Sequence, residues 1–269
     1  MSDLDGAIGA EEIDPPDPII EPYVPFPAFA GWLTEPFDGS LIDQFARELD
    51  RDHQELSSTS LNDAVEIATK WAAVNTGAIE GLYEIDRGFT YSVAVSAAAW
   101  SDIHLLKGAK AAASMQDAVN AYDFVLDATT KSHPMTEVWI RELHATVCAS
   151  QESYAVITAV GPQEQTLPKG EYKTQPNSPL NFANNVIHGY APPLDTPSEM
   201  ARMVHELRTE AFERAHPVLQ AAYAHAAFVC IHPFADGNGR VSRALASMFL
   251  YRSPGIPLVI FADQKSSAP

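Results

Sequence analysis

The sequence HPFADGNGRVSR at residues 232–243 places a histidine, a carboxylate, a Gly-Asn-Gly turn and two arginines close together. The run AAYAHAAFVCI (221–231) before it has the composition of a buried helix, and Pro233 limits continuation of that helix. Beyond the turn, Val241 and Leu245 recur at helical spacing. The stretch therefore predicts a turn between two helices, with glycines where the main chain can approach a ligand closely.

The residue types of this stretch suit a phosphate-bearing ligand. A helix that begins at the turn presents unpaired N–H groups and the positive end of its dipole, which together bind anions. Arg240 and Arg243 are three residues apart, so the spacing places both on one helix face, where guanidinium groups hold phosphate oxygens. Asp236 is a ligand type that Mg²⁺ prefers, and His232 is a general base for a hydroxyl. A lone His-Pro or Gly-Asn-Gly is usually only a turn, but the complete string favours phosphate chemistry.

The string resembles the signature of the Fic (filamentation-induced-by-cAMP) family, H-P-F-x-(D/E)-G-N-G-R-x-x-R, and agrees with it at every specified position. The segments HPVLQAAYAHAAFVCI (216–231) and IRELHATV (140–147) are also similar to helices of the family's core. The resemblance covers about residues 60–260, the length of one ordinary domain. It implies a protein that transfers AMP from ATP to a Ser, Thr or Tyr hydroxyl of a target protein and releases pyrophosphate.

The resemblance also implies a role for each residue of the stretch. His232 would remove the proton of the target hydroxyl, and Asp236 would hold Mg²⁺ against the α- and β-phosphates of ATP. The implied nucleotide-binding residues are Gly237, Asn238 and Gly239, which form the anion nest, and Arg240 and Arg243, which hold the β- and γ-phosphates.

Upstream of this stretch, Thr76, Glu80 and Gly81 stand in the spacing Ser/Thr-x-x-x-Glu-Gly/Asn, which resembles the inhibitory motif of the same family. Alone, the pattern is equally typical of a helix with a solvated glutamate and a glycine at its C-terminal cap. Beside the complete string, the inhibitory interpretation is favoured. It implies that Glu80 pairs with Arg243 and so blocks productive binding of ATP.

A third segment, PKGEYKTQPNS (168–178), combines a glycine with polar–apolar alternation and a Pro-Asn turn signal. Its local chemistry is equally consistent with a surface loop. The resemblance implies that it belongs to a β-hairpin flap, which covers the site and holds the target segment by strand addition. Lys173, Thr174 and Gln175 are then the positioning residues, although the family often has arginine where Lys173 stands.

The periodicity along the chain predicts a mostly α fold, and the resemblance implies a Fic-type helical core with one β-hairpin flap in the 155–180 region. We divide the chain into a Pro-rich acidic arm (1–39), an N-terminal helical region with the inhibitory motif (40–110) and a Fic catalytic core (111–269). Within the arm, YVPFPAFAGW (23–32) is apolar enough to pack against the domain. Helices are predicted near 41–57, 61–81, 114–130, 135–149, 197–213, 217–231 and 238–251.

The composition of the chain limits the kinds of partner and the location that are expected. The 269 residues carry a formal net charge of −18, which argues against nonspecific binding of nucleic acid or of anionic membranes. No apolar run approaches membrane-spanning length, and the acidic start lacks the pattern of a signal peptide, so a cytoplasmic location is expected. Cys148 and Cys230 are expected to be buried free thiols, because each stands in an apolar helical context.

Three functions stay open at this point. The favoured one is a self-inhibited protein adenylyltransferase with ATP as donor, Mg²⁺ as cofactor and a hydroxyl-bearing protein as partner. The second keeps the fold but changes the reaction: Glu80 activates water to remove AMP from a modified protein, or another nucleotide is the donor. The third is a nucleotide-binding interaction module, such as the toxin of a toxin–antitoxin pair. The sequence also leaves self-association into a homo-oligomer open.

Overall fold

The computed structural model describes residues 17–55, 57–158, 161–181 and 184–262, so the outer ends of the predicted arm (1–39) and core (111–269) lie outside the described residues. The fold is mostly α, which confirms the predicted class. Its helices are α1 (Phe29–Trp32), α2 (Ser40–Glu55), α3 (Ser58–Ile79), α4 (Arg87–Val95), α5 (Ala97–Ser101), α6 (Ile103–Lys107), α7 (Ala109–Thr130), α8 (Glu137–Val147), α9 (Thr196–Glu206), α10 (Glu210–Glu213), α11 (Pro217–Ile231) and α12 (Asn238–Leu250). Its strands are β1 (Ile19–Ile20), β2 (Ser153–Thr158), β3 (Gly161–Thr166), β4 (Leu180–Asn181) and β5 (Val186–Ile187).

The centre of the core is the pair of helices α11 and α12, which pack against each other. Helix α11 buries Phe228 and Ile231, and α12 buries Val241 and Leu245, all with no exposed surface. Helix α12 also contacts α3, α7 and α8. The loop that joins α11 to α12 is therefore held at both ends by helices that pack in the core. In the described part of the chain, no helix is long and apolar enough to cross a membrane.

Two regions differ from the predicted helices. The helix predicted at 197–213 is divided into α9 and α10, because Thr209 caps a new helix by accepting from the Phe212 main-chain N–H at 3.3 Å. Between α3 and α7, the short helices α4 to α6 begin at caps such as Asp86, which accepts from the Phe89 N–H at 2.8 Å. Helices of five to nine residues are too short to show a clear hydrophobic period.

The apolar segment 23–32 of the arm packs into the core, as its composition predicts. Phe26 and Phe29 are buried, and the Phe29 ring meets the edge of the Tyr223 ring with centroids 5.1 Å apart. The Arg202 guanidinium lies 3.5 Å from the centre of the Phe26 ring. The Tyr223 hydroxyl donates to the Pro27 carbonyl at 2.8 Å. These contacts anchor the arm beside α9 and α11.

Two small sheets accompany the helices. Strands β2 and β3 form an antiparallel hairpin from the Ser153–Thr166 pair to the Thr158–Gly161 pair, which overlaps the start of the region 155–180 where one hairpin is predicted. The second sheet has the order β1–β5–β4, with β4 antiparallel and β1 parallel to β5. The pairing with β1 brings the start of the described arm beside a segment more than 160 residues later in the chain.

Candidate active site

The loop between α11 and α12 takes its shape from a few residues. His232 ends α11 in the left-handed conformation, with φ 52° and ψ 59°, and Gly237 precedes α12 with φ 81°. Asn238 closes the loop on Phe234: its Nδ2 donates to the Phe234 carbonyl at 2.7 Å, and its Oδ1 accepts from the Phe234 N–H at 2.9 Å. The loop thus ends where the first N–H groups of α12 point out of the helix, which is the arrangement of an anion site.

The His232 side chain has the properties of a neutral base. Its ring stacks on Tyr190, with centroids 3.9 Å apart and planes inclined by 7°. Its Nδ1 lies 3.4 Å from the Val229 carbonyl, which favours the proton on Nδ1 and a free lone pair on Nε2. Burial, together with the nearby Lys173 charge, lowers the pKa of His232 to about 4. At neutral pH, this ring can therefore accept a proton.

We expect His232 to titrate near pH 4 in the folded chain, well below the ordinary value of about 6.5 for histidine. The unfolded chain binds this proton as the pH falls below about 6.5, whereas the fold resists it until about 4, so His232 lowers the stability progressively across that window. Ring C–H chemical shifts recorded by NMR across this range measure the titration, and the spectrum of His232→Gln assigns the signal. A His232 midpoint near 6.5 would contradict the burial argument.

Asp236 is oriented by two donors at the end of the loop. Its Oδ2 accepts from Gln151 Nε2 and its Oδ1 from the Gly237 N–H, both at 2.6 Å. Mg²⁺ in nucleotide sites is usually held by one or two carboxylates, with phosphate oxygens and waters as the other ligands. A single carboxylate with lone pairs left over fits that pattern, and the described residues contain no group of three or more His, Cys, Asp or Glu that could hold a metal alone.

The two arginines lie one helical turn apart in α12, but their guanidinium groups bond to different segments of the chain. Arg240 is buried and faces α8: its Nη2 donates to Gln151 Oε1 at 2.6 Å and its Nη1 to the Val147 carbonyl at 3.4 Å. Its Nε has no hydrogen-bond partner among the described residues. Because Gln151 bonds both Asp236 and Arg240, it ties the loop to α12.

Arg243 faces the end of α3 and meets the motif predicted to be inhibitory. Its Nε donates to Thr76 Oγ1 at 2.6 Å, and its Nη2 donates to the Thr76 carbonyl at 3.1 Å and to Glu80 Oε1 at 2.5 Å. The Arg243 side chain is 8% exposed and that of Glu80 is 32% exposed. Glu80 is the C-terminal cap of α3, and Gly81 follows with φ 74°, which ends the helix.

The Glu80 carboxylate also lies against the first turn of α12. A Cβ atom built on Gly239 would overlap Glu80 Oε1, so only glycine allows the carboxylate to come this close to the main chain. The negative charge is thus placed at the positive end of the α12 dipole, beside a guanidinium. Both features that would bind a phosphate therefore face the Glu80 carboxylate.

Lys173, Thr174 and Gln175 lie beside the loop, but segment 168–178 contains no strand, so the flap strand assigned there is wrong. The Lys173 N–H donates to the Pro233 carbonyl at 2.8 Å, and its buried Nζ donates to the Ile231 carbonyl and to Asn177. This segment therefore braces the loop and is not available for strand pairing. Burial lowers the pKa of Lys173 to about 8. Thr174 and Gln175 are exposed, and their part in target positioning stays a prediction.

The strand pair that lies next to His232 is β4–β5. The chain leaves β5 through His188 and Tyr190, whose rings meet edge to face 5.3 Å apart, and Tyr190 then stacks on His232. A usable signal for this pair exists in the sequence, because the turn residues Asn184 and Asn185 separate apolar residues. No comparable signal marks Gln151.

A second buried histidine supports the loop from α8. The His144 ring stacks on Phe234 at 3.8 Å, its Nε2 donates to the Asp236 carbonyl at 3.0 Å, and its Nδ1 accepts from the Gly170 N–H at 2.8 Å. Burial lowers the pKa of His144 to about 4, so the ring stays neutral and keeps this pattern of one donor and one acceptor. The sequence offers a histidine within IRELHATV but no spacing that reveals its partners.

Comparison with known proteins agrees with this geometry. Residues 134–250 match the model of the Fic/DOC family. The Protein adenylyltransferase Fic of Drosophila virilis is 42% identical over 89 residues, and that of Drosophila grimshawi is 43% identical over 82 residues. These matches cover 32% and 30% of this chain but only 18% and 17% of the two Drosophila proteins.

Solved structures extend the similarity to most of the chain. A Fic domain containing signaling protein from Bacteroides thetaiotaomicron superposes with a TM-score of 0.63 at 26% identity, over 85% of this chain and 78% of that one. Fic-1 from C. elegans superposes with a TM-score of 0.54 at 20% identity, over 85% of this chain and 62% of that one, and supports the fold alone. The similarity of fold therefore reaches beyond the matched residues 134–250.

Proposed function

We propose that this chain, which carries a Fic/DOC domain at residues 134–250, is a self-inhibited protein adenylyltransferase that moves AMP from ATP to a Ser, Thr or Tyr hydroxyl of a target protein. In this proposal, His232 is the base and the first turn of α12 binds the phosphates. Glu80 blocks productive binding of ATP through Arg243. The similarity to the two Drosophila adenylyltransferases supports AMP transfer, and the contacts of Glu80 support the inhibition.

The observation that carries the proposal is the place of the Glu80 carboxylate. It pairs with Arg243 and lies against Gly239, at the start of the helix that would receive the phosphates. A phosphate in the same place would be repelled by the carboxylate and would lose the guanidinium, which Glu80 already occupies. ATP bound beside Glu80 would have to shift its phosphates away from the position suited to attack. The inhibited state thus has an electrostatic and a steric origin.

The transfer itself is a substitution at the α-phosphorus. The target hydroxyl oxygen forms a bond to the α-phosphorus while the bond from that phosphorus to the bridging oxygen of the β-phosphate breaks. Pyrophosphate carries away the electron pair of the broken bond, and the hydroxyl proton passes to Nε2 of His232. The N–H groups of Asn238 and Gly239, at the start of α12, would stabilise the phosphate charge that develops during the step.

A divalent cation fits beside Asp236. Mg²⁺ bound there would neutralise part of the phosphate charge and help the pyrophosphate to leave. Gln151 and the Gly237 N–H orient the carboxylate for such a role, since each holds one of its oxygens. Arg240 bonds the same Gln151, so we assign it the task of holding the Asp236 end of the loop in place.

The proposed reaction is tested by the fate of each phosphate of ATP. In Glu80→Gly, label from α-³²P ATP is expected to stay on protein after denaturing electrophoresis, whereas label from γ-³²P ATP is not, because the two outer phosphates leave as pyrophosphate. Mass spectrometry of the labelled protein should show the mass of AMP on a hydroxyl side chain. Retention of the γ label would indicate phosphorylation. Absence of both labels would overturn AMP transfer from ATP and would leave three alternatives: removal of AMP, another nucleotide donor or a nucleotide-binding module.

A further inference from the structure

The start of the described arm lies along the free edge of the β4–β5 pair. The Ile19 N–H donates to the Asn185 carbonyl and the Glu21 N–H to the Ile187 carbonyl, both at 2.9 Å. Glu21 also approaches His188, with Oε2 and Nδ1 3.2 Å apart. An exposed strand edge is the surface on which an extended segment of another protein adds a strand. Here, the chain covers that edge with its own residues.

Gly189 shows that the close approach of the arm is built into the sequence. A Cβ at this position would overlap the Glu21 carbonyl oxygen, and it would also lie 2.7 Å from main-chain atoms of Pro22 and Tyr23. All of these are backbone atoms, which cannot swing aside as the end of a flexible side chain can. Any residue other than glycine at 189 would therefore push the arm away from β5.

The covered edge of β5 lies close to the base, His232. Immediately after β5, the chain passes His188 and Gly189 and reaches Tyr190, which stacks on His232. A target segment must bring its hydroxyl to Nε2 of His232 and needs main-chain contacts to hold it there. Among the described residues, the β5 edge is the strand edge closest in sequence to the ring that covers the base. The arm and a target segment would therefore compete for it.

The composition of the arm suits a segment that occupies a target site without reacting. From residue 3 to residue 33, the sequence contains no serine or threonine, and Tyr23 is its one hydroxyl-bearing residue. The Tyr23 hydroxyl donates to Glu199 Oε2 at 2.8 Å, on helix α9. The two residues in register with β5 are Ile19 and Ile20, which offer no hydroxyl. A segment of this composition cannot accept AMP beside β5.

The arm is held unevenly along its length. Phe26 and Phe29 are buried in the core, but the side chains of Ile19 and Ile20 are 65% and 71% exposed. Strand β1 therefore stays on β5 mainly through main-chain hydrogen bonds, which include those of the Ile19 and Glu21 N–H groups. Such a strand can leave the edge while the aromatic anchors keep the arm tethered to the domain. Tethering makes the arm an intramolecular competitor at high effective concentration.

We propose that residues 19–22 of the arm are a built-in pseudosubstrate, which covers the β5 edge and excludes the target segment until it is displaced. The inference rests on the proposed function for the identity of the competing ligand. It adds a second inhibitory contact to the molecule: Glu80 blocks productive binding of the ATP phosphates, and the arm blocks binding of the target segment. Removal of the Glu80 carboxylate alone then frees the ATP site, while the arm still covers the β5 edge where the target segment would bind.

The first experiment tests docking of the arm without any catalysis. Hydrogen–deuterium exchange on the full-length chain should show slow exchange in a peptide that covers residues 19–22, and Gly189→Ala should make the same peptide exchange rapidly. A fluorescent peptide with the sequence DPIIEPYV (17–24) should bind Ile19→Pro/Glu21→Pro, in which the chain's own ladder is lost. It should not bind when Gly189→Ala is added. Rapid exchange in the parent chain, or no binding of the peptide, overturns the inference.

The second experiment measures competition in the Glu80→Gly background. Ile19→Pro and Glu21→Pro should each raise the rate of AMP labelling of other proteins, by roughly tenfold for loss of a tethered competitor, and leave the affinity for ATP unchanged. Gly189→Ala should not raise the labelling, because its Cβ would exclude the target segment from the β5 edge as well as the arm. Ile20→Pro is the matched control. In a parallel ladder the N–H groups of alternate residues face the partner strand, here those of Ile19 and Glu21, so the Ile20 N–H points away from β5 and labelling should stay at the level of Glu80→Gly alone. Added DPIIEPYV peptide should lower the labelling by the released variants.

The outcomes separate this inference from the proposed function. The released variants are those in which the arm has lost a main-chain hydrogen bond to β5. Equal labelling in Glu80→Gly and in both released variants, with label clearly present, overturns the pseudosubstrate role. An equal rise in the labelling rate for Ile19→Pro and Ile20→Pro also overturns it, because the main-chain hydrogen bonds to β5 would then not be what blocks the target. If no variant transfers AMP, the proposed function fails, and the pseudosubstrate role falls with it even where the peptide binds.

Discussion

Replacement of Glu80 by glycine is expected to raise AMP transfer by roughly a hundredfold, which corresponds to about 2.7 kcal/mol in the activation free energy. The change frees the Arg243 guanidinium for a phosphate and removes a carboxylate that lies against Gly239 at the start of α12. Preorganised cations and N–H groups at a reacting phosphate supply effects of this size. Incorporation of α-³²P from ATP, measured as an initial rate at fixed protein concentration, gives the ratio of the variant to the parent.

Two further variants separate charge from bulk at this position. Glu80→Gln keeps the size of the side chain and removes its charge, so we expect a rate between those of the parent and Glu80→Gly. Arg243→Ala in the Glu80→Gly background should return the rate to that of the parent or below, because the liberated guanidinium is then missing. Equal rates in the parent and Glu80→Gly would show that the Glu80–Arg243 contact is not inhibitory. The contact would then be an ion pair with a structural role only.

Substitution of His232 by alanine in the Glu80→Gly background is expected to lower AMP transfer by about a hundredfold to ten-thousandfold, the usual contribution of a positioned general base. The neutral ring accepts the hydroxyl proton as the oxygen attacks phosphorus, and Val229, which faces Nδ1, favours the reactive lone pair on Nε2. Without the ring, the proton would have to pass to water. The measurement is the rate of α-³²P incorporation into the same targets as in the preceding experiment.

The control for this substitution is a histidine outside the site. His205 is exposed in the last turn of α9, so His205→Ala should leave the transfer rate of Glu80→Gly unchanged. ATP affinity, measured by calorimetry, should also be similar in His232→Ala and its parent, because the base faces the hydroxyl and not the outer phosphates. Retention of full transfer by His232→Ala would assign the proton to another acceptor.

The sequence predicted the central helices well because their signals are local. The apolar run 221–231, the glycines of the turn and the period of Val241 and Leu245 each act over a few residues, and the structure has α11, the loop and α12 where those signals place them. The division of 197–213 depends on one capping threonine, Thr209. Such a cap competes with the helical period, and its effect is visible only when the packing is known.

The site divides in a similar way. The resemblance of the motif implies that Glu80 pairs with Arg243, and the structure places Thr76 and Glu80, one helical turn apart, against that arginine. The direction of Arg240 was not predictable, because its partners Gln151 and the Val147 carbonyl come from a distant segment. The strand pairing of the arm with β5 was missed for the same reason. Contacts between distant residues leave no periodic trace in the sequence, whereas contacts one helical turn apart do.

The backbone of His232 has a consequence for how this protein tolerates change. A histidine with φ 52° occupies a conformation that non-glycine residues seldom adopt, at a cost of about 1–3 kcal/mol. A glycine at 232 would relieve that strain and would also avoid burying an imidazole, at the loss of the base. The same change would leave a cavity beside Tyr190 and remove the stacking of the two rings, which opposes the gain. The left-handed backbone is therefore a local cost that the packing of the imidazole ring helps to offset.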